Sequence, residues 1–303
     1  MKVLSLFDGI SCARVALERC GFQMDKYYAS EIDKYAIKVA QKNYPDTIQL
    51  GDVKNITKEM VGDIDLLIGG SPCQDLSIAK RGREGLGGSR SGLFWEYVRI
   101  LKEINPKYFV LENVNSMPKE AKLTITETLG VEPIMINAAL VSAQNRKRLF
   151  WTNIPNVTLP QDRGILLKDI LEENVDDKYF INNYKTNWNS DKPIDGSRDK
   201  YKTLRSDSRG SKTGLYLINE YNKRIMTEKC GTLGTTMSRT AKQGYLVIDT
   251  ENLQIRKLTP IECERLQSLP DNYTEGLSNT QRYKCLGNAF NTEVVRHILS
   301  FIK

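Results

Sequence analysis

The chain has 303 residues, 40% hydrophobic and 27% charged, the balance of a globular protein with an ample core in one large domain or two smaller ones. Its net charge is +7. Its six cysteines show no Cys-x-x-Cys spacing, and beside a single histidine they leave no zinc pattern and make a disulfide framework unlooked for. The lone His297 also removes Ser-His-Asp and Cys-His hydrolase mechanisms, because no other imidazole is present to act as base. No apolar run is long enough to span a bilayer, and the run at the N-terminus meets Asp8 too early for a secretory signal. The expected location is the cytoplasm, in association with the nucleoid.

In chain order, apolar runs at residues 3–7, 27–30, 65–68, 108–111, 134–137 and 149–152 read as strands. Helical patterns at residues 13–20, 34–43, 93–104 and 120–129 fall between them. The alternation predicts an α/β protein with a doubly wound, mostly parallel sheet covered by helices on both faces. The first strand runs into Phe7-Asp8-Gly9, a glycine turn that lets the backbone approach a ligand. After Gly9 come Ile10, Ser11, Cys12 and Ala13, so the Gly-x-Gly-x-x-Gly fingerprint of a nicotinamide site is absent. Glu31 ends the second strand, where an acid commonly accepts hydrogen bonds from ribose hydroxyls, and Asp52 follows in Gly51-Asp52-Val53. Singly, each reads more readily as a surface carboxylate; at successive strand ends they point to a ligand.

The strand at 65–68 ends in Gly69-Gly70-Ser71-Pro72-Cys73-Gln74. Chemistry in open α/β sheets gathers beyond the carboxyl ends of the strands, which would aim Cys73 at a crevice. A small buried thiol explains the segment alone equally well. Residues 74–90 combine Gly82, Gly85, Gly87 and Gly88 with Lys80, Arg81 and Arg83, which suits closure over a bound group and contact with phosphates; an ordinary surface loop has the same composition. Glu112-Asn113-Val114 follows the strand at 108–111, and Gln144-Asn145-Arg146-Lys147-Arg148 precedes the one at 149–152.

Between about residues 155 and 255 the alternation breaks into short apolar stretches and turns. It resumes at residues 259–267, where Thr259 caps, Pro260 takes the first helical position and Glu262 completes a capping box. The reading is a larger domain, 1–155 with 256–303, holding a smaller inserted one, 156–255. From Lys178 to Tyr245 there are 14 Lys and Arg against 6 Asp and Glu, a balance of +8 within a chain of +7. Tyr179, Phe180, Tyr184, Trp188, Tyr201 and Tyr221 interleave with them, as phosphate neutralisation and base contact require, although a solvated lysine-rich surface shares this composition. Gly287-Asn288-Ala289 comes near the end, and His297 sits in an amphipathic helix where a structural role is expected.

In this order and at these separations, the five motifs at Phe7-Asp8-Gly9, Pro72-Cys73, Glu112-Asn113-Val114, residues 144–148 and Gly287-Asn288-Ala289 resemble the cytosine carbon-5 DNA methyltransferase family. GLFWEYVRIL, ENVNSM and VSAQNRKRLFWTNIPN look similar to the catalytic domains of de novo DNA methyltransferases, and bacterial and phage enzymes share the motifs. The resemblance covers residues 1–155 and 256–303. It implies an S-adenosylmethionine-dependent methyltransferase fold whose smaller domain recognises the target. It also implies methyl transfer to carbon 5 of a flipped-out cytosine in duplex DNA, at a short sequence, with S-adenosylhomocysteine as product.

The resemblance assigns Cys73 as nucleophile on carbon 6, its thiolate favoured by Arg146 or Arg148. Glu112 would bond ring nitrogen 3 and the exocyclic amine, Arg148 the cytosine carbonyl oxygen, and Arg146 would support the loop carrying Cys73. For the cofactor it implies Phe7, Gly9, Ile10, Glu31 on the ribose, Ile32 against the adenine and Asp52 on its amino group. Val53, Pro72, Leu93 on the ring, Asn288 at the methionine end and Ala289 complete that set. DNA contacts would fall to Gln74, Ser77, Lys80, Arg81 and Arg83, and in the insert to Thr235, Thr236 and Arg239. Ser11 and Cys12 stand where many relatives carry further glycines. Double-stranded DNA is the expected partner and a cognate restriction enzyme a candidate one, in a bacterial or phage setting, with no metal and no membrane. Two rivals stay open: an RNA (tRNA) cytosine carbon-5 methyltransferase, which shares the motifs, and a silent nucleic-acid-binding regulator, against which intact Cys73, Glu112, Arg146 and Arg148 argue.

Overall fold

The computed structural model describes residues 1–71, 92–180, 215–219, 224–226, 229–230, 233, 245–249 and 254–303. The chain divides into two compact units, one of residues 1–138, 146–161 and 289–303, the other of residues 139–145 and 162–288.

The first unit is built on seven strands: Lys2–Leu6 (β1), Lys26–Ser30 (β2), Ile48–Gln49 (β3), Leu66–Gly70 (β4), Tyr108–Val114 (β5), Ile134–Asn137 (β6) and Lys147–Thr152 (β7). They lie in the order β3-β2-β1-β4-β5-β7-β6. The pairs from β3 to β5 are parallel, whereas β7 runs antiparallel to both β5 and β6, so the sheet is mixed. The helices are Cys12–Arg19 (α1), Lys34–Asn43 (α2), Lys58–Val61 (α3), Leu93–Ile104 (α4), Lys119–Leu129 (α5), Pro260–Leu266 (α6), Asn279–Asn288 (α7) and Thr292–Leu299 (α8), of which α6 and α7 belong to the second unit.

Central parallel strands are covered on both faces and are therefore largely apolar. Val3, Leu4 and Leu6 of β1 and Leu66, Leu67 and Ile68 of β4 are all buried. Phe94, Tyr97, Val98, Ile100 and Ile104 form the buried stripe of α4 in the same core as Leu111 and Trp151. Each such aliphatic side chain contributes about 1.5–3 kcal/mol. Trp151 keeps its polar edge satisfied by donating from Nε1 to Thr126 Oγ1 at 3.0 Å. The α2 helix starts at Asp33, whose carboxylate accepts from Tyr35 N at 2.9 Å. His297 has a structural bond, its Nε2 lying 2.7 Å from Thr158 O.

Three features differ from the expectation. β3 is only two residues long, too short for alternation to betray it, and α3 is a single turn. β5 runs on to Val114 and β7 begins at Lys147, because the two pair in antiparallel register, Glu112 with Phe150 and Val114 with Arg148. Glu112 and Arg148 therefore sit inside strands rather than beyond them.

In the second unit, Leu215–Asn219 (β8), Arg224–Met226 (β9), Tyr245–Asp249 (β10) and Gln254–Lys257 (β11) form an antiparallel sheet in the order β11-β10-β8-β9. The capping box at Thr259 and Glu262 opens α6. Glu262 has a second task, since its buried carboxylate also pairs with Arg256 at 2.6 Å. No described helix is long and apolar enough to cross a membrane.

Candidate active site

The strand order turns around between β1 and β4: β2 and β3 lie to one side, β4 and β5 to the other. Ligands of open α/β sheets bind outside the carboxyl ends at such a switch point. Leu6 is in register with Gly69 and Gly70 with Glu112, so the chain leaves β1, β4 and β5 along one edge.

On the β1 side the backbone is left-handed at three alternate residues, Phe7 (φ 56°), Gly9 (φ 61°) and Ser11 (φ 61°). At a residue with a Cβ this costs about 1–2 kcal/mol. Ser11 is compensated by a bond from its Oγ to Asp8 Oδ2 at 2.5 Å, and Tyr27 donates to Asp8 Oδ1 at 2.7 Å. Burial pushes the Asp8 carboxyl above its ordinary value of 3.8, against the pull of these hydroxyls. Glu31 ties the turn to the next strand end, accepting from Gly9 N at 2.9 Å, Ile32 N at 2.7 Å and Asp33 N at 2.8 Å. An ionised carboxylate offers about four lone-pair sites, so roughly one is left for a further donor.

Ile10 and Val53 are buried, whereas Ile32 is 75% exposed, an apolar surface open at the rim of the same edge. Asp52 Oδ1 accepts from Lys54 N at 3.1 Å and caps the short turn Val53–Asn55. Leu93 opens α4 and, with Phe7, packs against the core. Arg99 escapes the sequence reading: it donates to Val53 O at 3.2 Å and Ile56 O at 2.9 Å while paired with Glu96 and Glu103. The only signal for it was the helical spacing of those acids.

On the β5 side, Arg148 Nε lies 2.8 Å from Glu112 Oε1, with both side chains largely shielded from solvent. The pair lines a small pocket together with Arg146, Phe150, Phe290 and Asn291. Buried Arg146 donates from Nη2 to Ala289 O at 2.8 Å, and its backbone N–H donates to Asn137 Oδ1 at 2.9 Å. Gly70 is a required gap, because a Cβ there would lie 2.7 Å from the Phe290 ring and 3.1 Å from Glu112 Oε2. Phe290, directly after Ala289, was not singled out from the sequence.

Pro72, Cys73, Gln74, Ser77, Lys80, Arg81, Arg83, Thr235, Thr236 and Arg239 lie outside the described residues. Asn288 is the last residue of α7 in the second unit. Burial pushes the Cys12 thiol up to about 12 and raises those of Cys230 and Cys263 as well, so none of these three offers a thiolate near neutral pH.

A mixed seven-stranded sheet flanked by helices, its strand order turning around between β1 and β4, is the fold of the S-adenosylmethionine-dependent methyltransferases. The chain belongs to the C-5 cytosine-specific DNA methylases, whose family model matches residues 1–303. It is 31% identical over 318 residues to the type II methyltransferase M1.ScrFI of Lactococcus lactis subsp. cremoris, covering 98% of this chain and 76% of that one. It is 28% identical over 316 residues to the type II methyltransferase M.HhaI of Haemophilus parahaemolyticus, covering 98% and 93%. Among solved structures, the Entamoeba histolytica methyltransferase EhMeth matches in fold, with a TM-score of 0.72 at 18% identity over 99% of this chain and 97% of that one. The protein is a DNA (cytosine-5-)-methyltransferase, and its family implies dependence on S-adenosylmethionine. The RNA and silent-regulator readings are not favoured.

Proposed function

We propose that the enzyme methylates a cytosine flipped out of duplex DNA at a short sequence, through a covalent adduct with Cys73. The observation that carries this reading is the Glu112–Arg148 pair in its pocket, one strand away from the β4 end that leads into Pro72-Cys73. Carbon 5 of cytosine is too weak a nucleophile to take a methyl group unaided. Addition of the Cys73 thiolate to carbon 6 forms a carbon–sulfur bond and moves the ring electrons toward carbon 5. Glu112 then bonds nitrogen 3 and the exocyclic amine, Arg148 donates to the carbonyl oxygen, and Arg146 holds the surrounding chain. After transfer, water takes the carbon 5 proton, and the electron pair released expels the thiolate.

S-adenosylmethionine supplies the electrophilic methyl group when bound. The residues fit it: Glu31 has capacity for a hydroxyl, and open Ile32 offers a face to an aromatic ring. Phe7, Gly9, Ile10, Asp52, Val53, Pro72, Leu93, Asn288 and Ala289 complete the set by resemblance. On the same reading Gln74, Ser77, Lys80, Arg81 and Arg83 contact DNA around the flipped base, which costs a few kcal/mol to extrude. Residues 156–255 choose the target, with Thr235, Thr236 and Arg239 reading bases, while residues 1–155 and 256–303 carry catalysis and cofactor. The setting proposed is the cytoplasm of a bacterium, or of one carrying a phage, with a cognate restriction enzyme as partner. The test is a 5-fluorocytosine duplex, which should trap the wild type covalently at Cys73, whereas Cys73→Ser should neither trap nor turn over. Normal turnover by Cys73→Ser would overturn the reading.

A further inference from the structure

We propose that Asn113 is a positioning residue, a side-chain clamp that sets the end of β4 against Glu112. The parallel ladder between β4 and β5 has its last registered pair at Gly70 and Glu112. One residue further on, Asn113 Nδ2 donates to Ser71 Oγ at 3.0 Å and reaches toward Ser71 O at 3.5 Å. Its Oδ1 meanwhile accepts from Val114 N at 2.8 Å, which fixes the amide's orientation. Asn113 and Ser71 are both buried, so these bonds are made out of water and hold a single geometry.

The two clamped residues are next to the groups the chemistry needs. Asn113 directly follows Glu112, and Ser71 directly precedes Pro72-Cys73. An asparagine suits the task because it donates and accepts at once. Aspartate would keep the bond from Val114 and lose the donor toward the Ser71 carbonyl, while the Ser71 hydroxyl could turn to donate to it, so removal of the whole side chain is the cleaner test. The clamp thus fixes the separation between the acid and the strand end that feeds the nucleophile, and it rests on the reading of Cys73 and Glu112 given above.

Asn113→Asp keeps shape and removes the donor, Asn113→Ala removes the side chain, and Ser71→Ala removes one acceptor. A misplacement of about 1 Å at a reacting centre costs up to ~10²-fold, so kcat should fall roughly 10–100-fold in Asn113→Ala and by less in Asn113→Asp, where the Ser71 hydroxyl can donate back. KM for S-adenosylmethionine should stay within about threefold, and adduct formation with a 5-fluorocytosine duplex should slow in step with kcat. Ser71→Ala should lose less, and Ser71→Ala with Asn113→Ala should be no worse than Asn113→Ala alone. Wild-type kcat in Asn113→Ala, or losses that multiply in the double variant, would overturn the clamp. Cys73→Ser run alongside separates the two ideas: an inactive Cys73→Ser beside a fully active Asn113→Ala defeats the clamp alone, whereas an active Cys73→Ser defeats the nucleophile reading.

Discussion

Gly70→Ala adds one methyl group at the tightest point of the pocket. The new Cβ would lie 2.7 Å from Phe290 Cε1, 3.0 Å from its Cζ and 3.1 Å from Glu112 Oε2. Carbon pairs rest at about 3.5–4.0 Å, so the ring must retreat by roughly 1 Å. Its backbone is poorly placed to follow. Ala289 on one side is held through its carbonyl by Arg146, and Asn291 on the other caps α8 by accepting from Val294 N at 3.2 Å. Overpacking of this kind costs about 1–3 kcal/mol, and each kcal/mol lowers the melting temperature by roughly 2–4 °C in a protein of this size class. The carboxylate must give by a few tenths of an ångström as well, so kcat should fall severalfold, short of the ~10²-fold that a full 1 Å displacement costs. Gly69→Ala is the comparison, because its Cβ would meet the backbone oxygen of Leu6 at 2.8 Å, which has no side-chain freedom to yield. It should be the less stable of the two. Differential scanning fluorimetry and methyl incorporation into DNA read both quantities. Gly70→Ala with wild-type melting and kcat within twofold of wild type would refute the reasoning.

Glu112→Gln should lower the methylation rate by about 10²–10⁴, as for loss of an acid–base group, with DNA affinity retained; equal losses in both would assign Glu112 to structure instead. Removing Glu31 or Asp52 should weaken S-adenosylmethionine binding by about 1–3 kcal/mol in calorimetry, and unchanged affinity in both variants would end the cofactor assignment. Burial holds the Asp8 carboxyl above 3.8 in the folded state, so its contribution to stability is present below that value and is lost as pH rises through the folded one. Asp8→Asn should therefore melt above wild type near neutral pH, with the gap closing toward about pH 4. A gap independent of pH would disprove that account.

The first unit was legible because its strands are buried on both faces. Runs such as residues 65–68 have no competing reading as surface, and α2 and α4 have the expected bounds because one carries an Asp33 cap and the other a wide apolar stripe. What local pattern does not carry is cross-strand pairing. Nothing around Glu112 or Arg148 says that each continues a strand; they do so because β7 lies antiparallel to β5. Partners distant in sequence were illegible for the same reason. Arg146 meets the carbonyl of Ala289, 143 residues away, and Asn113 meets Ser71, 42 away. The motifs identified these residues; the contacts that give them work were fixed only by topology.

The Glu112–Arg148 pair also bears on which base the pocket accepts. Arg148 spends only Nε on Oε1, and its Nη1 is turned to the carbonyl of Lys147 at 3.0 Å. The carboxylate therefore keeps Oε2 on the Gly70 side, and the guanidinium keeps Nη2 as an uncommitted donor among the described bonds. Along its pairing edge cytosine offers a carbonyl acceptor, a ring acceptor and an amino donor. On the proposed reading these meet a guanidinium donor, a carboxyl proton and a carboxyl oxygen in turn. Thymine reverses the last two, and a carboxyl group can match it by carrying its proton on the other oxygen. On the proposed reading, then, the preference for cytosine rests on holding the proton on the oxygen that faces ring nitrogen 3, and the contact of Arg148 Nε with Oε1 is what makes the two carboxyl oxygens unequal.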